Sequence, residues 1–154
     1  MGLFSKKKKD KVIVGGFLVS GLPEKENSDL MLELFNDHVH IKSFRDFKNE
    51  YKISLDKITD VKFYTEKQIE KVITQSAPGM IIGAATFGTI GAMIGGRVKT
   101  KEKKTTLDFL VIKYDNKEFC MRITYYPSVK KFISKIYELK PSLSSNDNKE
   151  VIEL

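Results

Sequence analysis

Apolar residues recur at every second position in several short runs of this chain, and that period predicts β-strands. Lys11 to Val19 (KVIVGGFLV) is β-rich, and Gly15-Gly16 predicts a bulge or bend within it. A polar loop follows from Gly21 to Asp29, with Pro23 and Asn27. Leu30, Leu32 and Leu34 then alternate with Met31 and Glu33. Asn36-Asp37 reads as a tight turn, and Val39 and Ile41 resume the alternation, so this is a hairpin. Arg45 to Glu50 is a second polar turn. Tyr51, Ile53 and Leu55 predict another strand, Asp56-Lys57 a turn, and Ile58, Val61 and Phe63 the next strand.

The same grammar returns later. Leu107, Phe109 and Val111 interleave with Asp108, Leu110 and Ile112, and both sets are largely apolar, so this strand is expected to be covered on both faces. Asp115-Asn116 is a turn, and Phe119, Met121 and Ile123 complete a hairpin. Pro127-Ser128 marks a helix start with Ser128 as its cap. Val129, Phe132, Ile133, Ile136 and Tyr137 follow at helical spacing, with Lys130, Lys131 and Lys135 opposite. That predicts an amphipathic helix laid on a sheet. Pro141 ends it, and residues 141–154 read as a polar, disordered tail.

One stretch obeys neither period. Ala77 to Gly96 (APGMIIGAATFGTIGAMIGG) carries no charge and no large polar group. A helical period sorts it into two faces. Gly88, Gly91, Gly95 and Gly96 with Ala84, Ala85 and Ala92 fall on one side; Ile82, Phe87, Ile90, Met93 and Ile94 fall on the other. Gly79 to Gly83 and Gly91 to Gly95 repeat at four-residue spacing, which lets two helix backbones approach closely. So much glycine costs a helix about 1 kcal/mol per residue in water relative to alanine, so outside support is needed.

A stretch of about 20 apolar residues is long enough to span a bilayer. A single crossing would separate the early strands from the last hairpin and helix, which are too few for a core of their own. The stretch therefore has to leave and return on one side of a single domain. As two arms of ten residues or fewer it is too short to span. The reading is a shallow membrane-dipping or oligomerising element. The alternatives are a helix packed on its own domain, its glycines giving close contact, and a flexible glycine loop. No G-x-x-x-x-G-K-S/T or strand-borne G-x-G-x-x-G occurs, so a phosphate loop is not supported.

Charge and composition narrow the picture. The 154 residues fit one domain, with a basic tail at 1–10 and a core at 11–140 interrupted by 77–96. The net charge of +7 favours an anionic partner. The flank before the apolar stretch holds Glu66, Lys67, Glu70 and Lys71, and basic residues cluster after it at Arg97, Lys99, Lys101, Lys103 and Lys104 and at the N-terminus at Lys6, Lys7, Lys8 and Lys9. They suit one-sided attachment to an anionic leaflet, or are simply solvated. No aromatic residue interleaves with them, which disfavours nucleic acid. The N-terminus has no apolar run of signal-peptide type, and Lys6 stands where a myristoylation pattern needs Ser or Thr.

Cys120 is the only cysteine, so no internal disulfide forms and a reducing compartment fits. His38 and His40 share one strand face with no third ligand in view, so no metal site is expected. No nucleophile–base constellation assembles, and neither an enzyme nor a cofactor is expected.

The arrangement resembles bacterial pleckstrin-homology-like (PH-like) and GRAM-like domains. The residues that carry the likeness are Leu30-x-Leu32-x-Leu34, His38-Val39-His40-Ile41 and Tyr51 through Val61, which ends in an I-x-x-V element. Leu110 to Tyr114 and the helix from Val129 to Leu139 resemble the end of that fold. A version in uncharacterised Gram-positive and phage proteins carries a glycine-rich insertion, matched by Ser76, Gly79, Gly88, Gly91, Ala92, Ile94, Gly95 and Gly96. The resemblance covers roughly residues 11–140.

It implies an α+β, mainly β fold: a bent antiparallel sheet or barrel closed by one C-terminal helix, with an inserted glycine-rich helix or helical hairpin. It implies a binding or scaffolding module and not an enzyme. With the charge pattern and the lone cysteine, the expectation is a cytoplasmic protein, peripheral at the inner face of the cell membrane, or one that self-associates. The partner is then an anionic membrane surface, a protein or a second copy. It does not imply phosphoinositide binding: the first inter-strand loop holds Glu24, Glu26 and Asp29 against Lys25 alone, which repels a polyphosphate.

Overall fold

The computed structural model describes residues 12–43, 45, 47–75, 89–93, 107–124 and 127–143. Seven antiparallel strands form one sheet. In chain order they are β1 (Val12–Ser20), β2 (Asp29–Leu34), β3 (His38–Lys42), β4 (Tyr51–Ser54), β5 (Ile58–Thr65), β6 (Asp108–Tyr114) and β7 (Lys117–Ile123). Helix α1 (Glu66–Gln75) follows β5, and helix α2 (Pro127–Leu139) follows β7. The fold is mainly β with some helix. The strand order is β4-β3-β2-β1-β7-β6-β5.

This order puts two sequence neighbours at opposite edges. Ser54 ends β4 and Ile58 begins β5, with only the 3-10 turn Leu55–Lys57 between them. In a flat sheet, six strand spacings would separate those edges by about 29 Å. Four residue steps reach at most about 14 Å. The sheet must therefore curl until its edges approach at this corner. No ladder joins β4 to β5, so the sheet is open, and of the expected forms the bent sheet is observed and not the closed barrel.

β1 is where the two halves meet. Its first part pairs with β2 over Val12–Phe17, and its second pairs with β7 from Gly16 onward. Gly16 lies at the overlap. A Cβ there would stand 2.0 Å from the Arg122 carbonyl oxygen, so the close approach of β1 to β7 requires glycine. The register shift expected near the glycines falls further on, between Leu18 and Ser20.

The main core fills the inner face. Val14 and Leu18, Leu30 and Leu32, Val39 and Ile41, Ile53, Ile58, Leu110 and Ile112, and Phe119 and Met121 all contribute. These are the alternate positions that the strand period selects. Helix α2 closes this core with Val129, Phe132 and Ile136. It begins at Pro127, one residue before the expected cap Ser128; proline at a first helical position loses no hydrogen bond. The expected tail boundary is also corrected. Residues 141–143 form a further helical turn, and Leu143 is buried in the main core.

Both sheet edges are protected. The Tyr137 hydroxyl donates to the carbonyl of Val61 at 3.3 Å, so α2 covers part of the β5 edge. The β4 edge is four residues long and carries the exposed Lys52. Helix cover and short charged edges both oppose strand-to-strand association.

Candidate contact surface

β6 is covered on both faces. Leu110 and Ile112 point to the main core, while Phe109 and Val111 point outward into a second one. This second core joins Val19, Tyr64, Cys120 and Leu107 with Ile69 of α1 and Ile90. It lies on the sheet face opposite α2, because neighbouring residues of a strand project to opposite sides.

Helix α1 supplies one part of the cover. It was not anticipated from the pattern, although its N-terminal signal stands in Thr65-Glu66-Lys67-Gln68. The amide of Gln68 donates to Thr65 Oγ1 at 3.3 Å, and the amide of Thr65 donates to Gln68 Oε1 at 2.8 Å. That reciprocal pair is a capping box. Ile69 is fully buried on the inner side of the helix, and Lys67 and Lys71 are exposed on its outer side.

Residues 89–93 supply the other part. They are helical, and they belong to the apolar stretch. Ile90 is 0% exposed and lies in the second core. Met93 packs against that core half-buried, Gly91 is half-buried and Ala92 is exposed. The expectation puts Ile90 and Met93 on a face turned to lipid or a partner; in the structure they face the domain's own sheet. Chain on either side of 76–88 thus rests on one face of one sheet.

The remaining residues named for this surface lie outside the described residues. They are Gly79, Ile82, Gly83, Ala84, Phe87, Gly88, Ile94, Gly95 and Gly96, with the basic Lys6, Lys7, Lys8, Lys9, Arg97, Lys99, Lys101, Lys103 and Lys104. No helix among the described residues is long and apolar enough to cross a membrane.

A polar cluster occupies the outer face of β2–β4. Phe35, 42% exposed, stacks on His38 with ring centroids 4.7 Å apart. His38 Nδ1 meets Asp37 Oδ1 at 2.6 Å, and His40 Nε2 meets Glu50 Oε1 at 2.9 Å. The hydrogen bond from His38 holds the Asp37 carboxyl below its usual pKa. No group of three or more possible metal ligands forms among the described residues.

The loop at 21–28 is built by hydrogen bonds among its neighbours. The Tyr51 hydroxyl donates to the Glu24 carboxylate, which raises the phenol above its ordinary pKa. Ser43 donates to Asp29 at 2.5 Å, and Arg45 lies 3.8 Å from the same carboxylate. Glu24 of the loop and Asp29 at the start of β2 are therefore engaged within the domain. Cys120 is buried, and burial pushes its thiol far above the usual range, so it is a packing residue rather than a nucleophile. Burial also raises Asp108, with the nearby Glu66 charge adding to the effect.

Compared with known proteins, the chain matches no family model, no curated sequence and no solved structure.

Proposed function

We propose that this protein is a non-enzymatic binding module with a PH-like fold that attaches to an anionic membrane surface through residues 77–96. The observation that supports this reading is the placement of α1 and residues 89–93 on one face of one sheet. An apolar stretch anchored at that face is held to one side of the domain. Dipping into a leaflet fits this geometry, and a one-way crossing does not. The curled sheet and single closing helix are compatible with a PH-like class. The lysines on both flanks add attraction to anionic headgroups, and the site is the inner, cytoplasmic leaflet.

Vesicle flotation at low salt tests the proposal. Wild type is expected to float with vesicles that contain phosphatidylglycerol and to release as salt rises. An Ile82→Asp/Phe87→Asp variant is expected to remain in the soluble fraction. If wild type also remains there, membrane attachment is wrong.

A second reading has the burial of Ile90 in its favour. In it the protein is an adaptor whose glycine-rich helix packs on its own fold, on a protein partner or on a second copy. A chain that ignores vesicles and scatters light as a stable monomer or dimer supports this reading.

A further inference from the structure

Ile90 belongs to the apolar stretch proposed to meet lipid, yet it is fully buried against the domain's own sheet. The apolar packing of that stretch on the sheet, among the described residues, involves Ile90 and Met93. Between them, Gly91 has no side chain to pack and Ala92 is exposed. The core they join also contains Val19, Tyr64, Ile69, Leu107, Phe109, Val111 and Cys120. In water this core stays covered, because exposing apolar area is unfavourable. Lipid tails are as apolar as the sheet, so a bilayer removes the share of the undocking penalty due to Ile90 and Met93 and leaves the share due to the uncovered sheet. Two apolar environments thus compete for the same two side chains.

We infer that residues 89–93 are a latch, docked on the outer sheet face in solution and released when an anionic bilayer takes up Ile90 and Met93. This rests on the membrane reading above and adds to it a closed solution state. The sign of its effect is specific. A bilayer must outcompete the sheet, so weakening the docked contact strengthens lipid binding. Ile90 is packed on apolar neighbours in both states, so a truncation on the sheet side, at Val111, isolates this effect.

Cys120 supplies the readout, since it is buried in the same core as Ile90. The full chain is treated with a soluble thiol reagent in buffer, with phosphatidylcholine vesicles, and with vesicles containing phosphatidylglycerol. Flotation is measured on the same samples. Cys120 is expected to be protected in the first two and to react roughly tenfold faster or more on the anionic vesicles. Val111→Ala, which trims the sheet side of this core and leaves Ile90 intact, should react faster in buffer and float in larger amount. Val19→Ala, a second change on the sheet side, should shift both in the same direction. Val14→Ala, in the main core, should not raise flotation.

Three results overturn the latch. Wild type that floats with Cys120 still protected leaves the membrane reading standing and removes the latch. Flotation that is unchanged or lowered in Val111→Ala while Cys120 reacts faster in buffer removes the latch. Wild type that fails to float removes the membrane reading and the latch with it.

Discussion

The ammonium of Lys140 donates to the carbonyl oxygen of Ile58 at 2.6 Å. The same nitrogen reaches the carbonyls of Leu55 at 3.0 Å and Asp56 at 3.3 Å. All three carbonyls belong to the short corner that joins the two edge strands. A lysine just beyond α2 therefore fastens the place where the curled sheet's edges approach. Its charge strengthens these hydrogen bonds relative to neutral ones.

Lys140→Met keeps most of the aliphatic packing and removes the donors. The carbonyls of Leu55 and Ile58 then lose a charged partner at a partly buried site. Stability is expected to fall by about 2 kcal/mol. Urea unfolding followed by circular dichroism measures it; an unchanged midpoint would show that water replaces the ammonium without loss.

Gly16 and Gly15 are adjacent but not equivalent. A methyl at Gly16 collides with the backbone of Arg122, which cannot move aside without parting β1 from β7. A methyl at Gly15 meets only Thr124 Oγ1 at 4.0 Å. Gly16→Ala should destabilise by about 2 kcal/mol or more. Gly15→Ala should be neutral or stabilising by up to about 1 kcal/mol, because it restricts the unfolded chain. Parallel denaturation curves decide between them.

Leu143 carries a prediction about the chain's end. It is buried in the main core together with α2. Leu143→Ala should lower stability by about 2 kcal/mol or more, and a chain stopped at Lys140 should lose at least as much. A truncation with wild-type stability would place residues 141–143 outside the cooperative unit.

Asp37 links the β2–β3 turn to pH. Its carboxyl is depressed chiefly by the hydrogen bond to His38. A depressed acid contributes stability above its unfolded pKa and loses it as pH falls through the folded value. The Asp37 side of the Asp37–His38 contact should therefore be lost in acid, below the range where free aspartate titrates. Carboxyl chemical shifts followed against pH should show Asp37 titrating low in wild type. In His38→Leu the titration should return toward the ordinary value.

The strands were legible because their cause is local. Val39 and Ile41, or Leu30 and Leu32, alternate by the geometry of the extended chain itself. Asp115-Asn116 was legible as a turn for a similar reason: both residues hold positive φ, 45° and 60°, as a two-residue hairpin turn demands. Helix α1 was equally local, through the Thr65–Gln68 capping box, but its polar face made it read as a flank of the apolar stretch. The β6 strand, apolar on both faces, also announced that something would cover its outer side.

What the chain alone determined was that residues 77–96 are uncharged and apolar, a composition that the hydrophobic effect drives out of water. It could not determine against what. The hydrophobic effect is non-directional, and the same stretch suits lipid, another chain or its own sheet. The pairing of β1 with β7, the curl that brings Ser54 and Ile58 to one corner, and the outer face built by Val19, Phe109, Val111 and Cys120 are contacts between distant parts of the chain. Only when they are assembled does a surface exist that can receive Ile90.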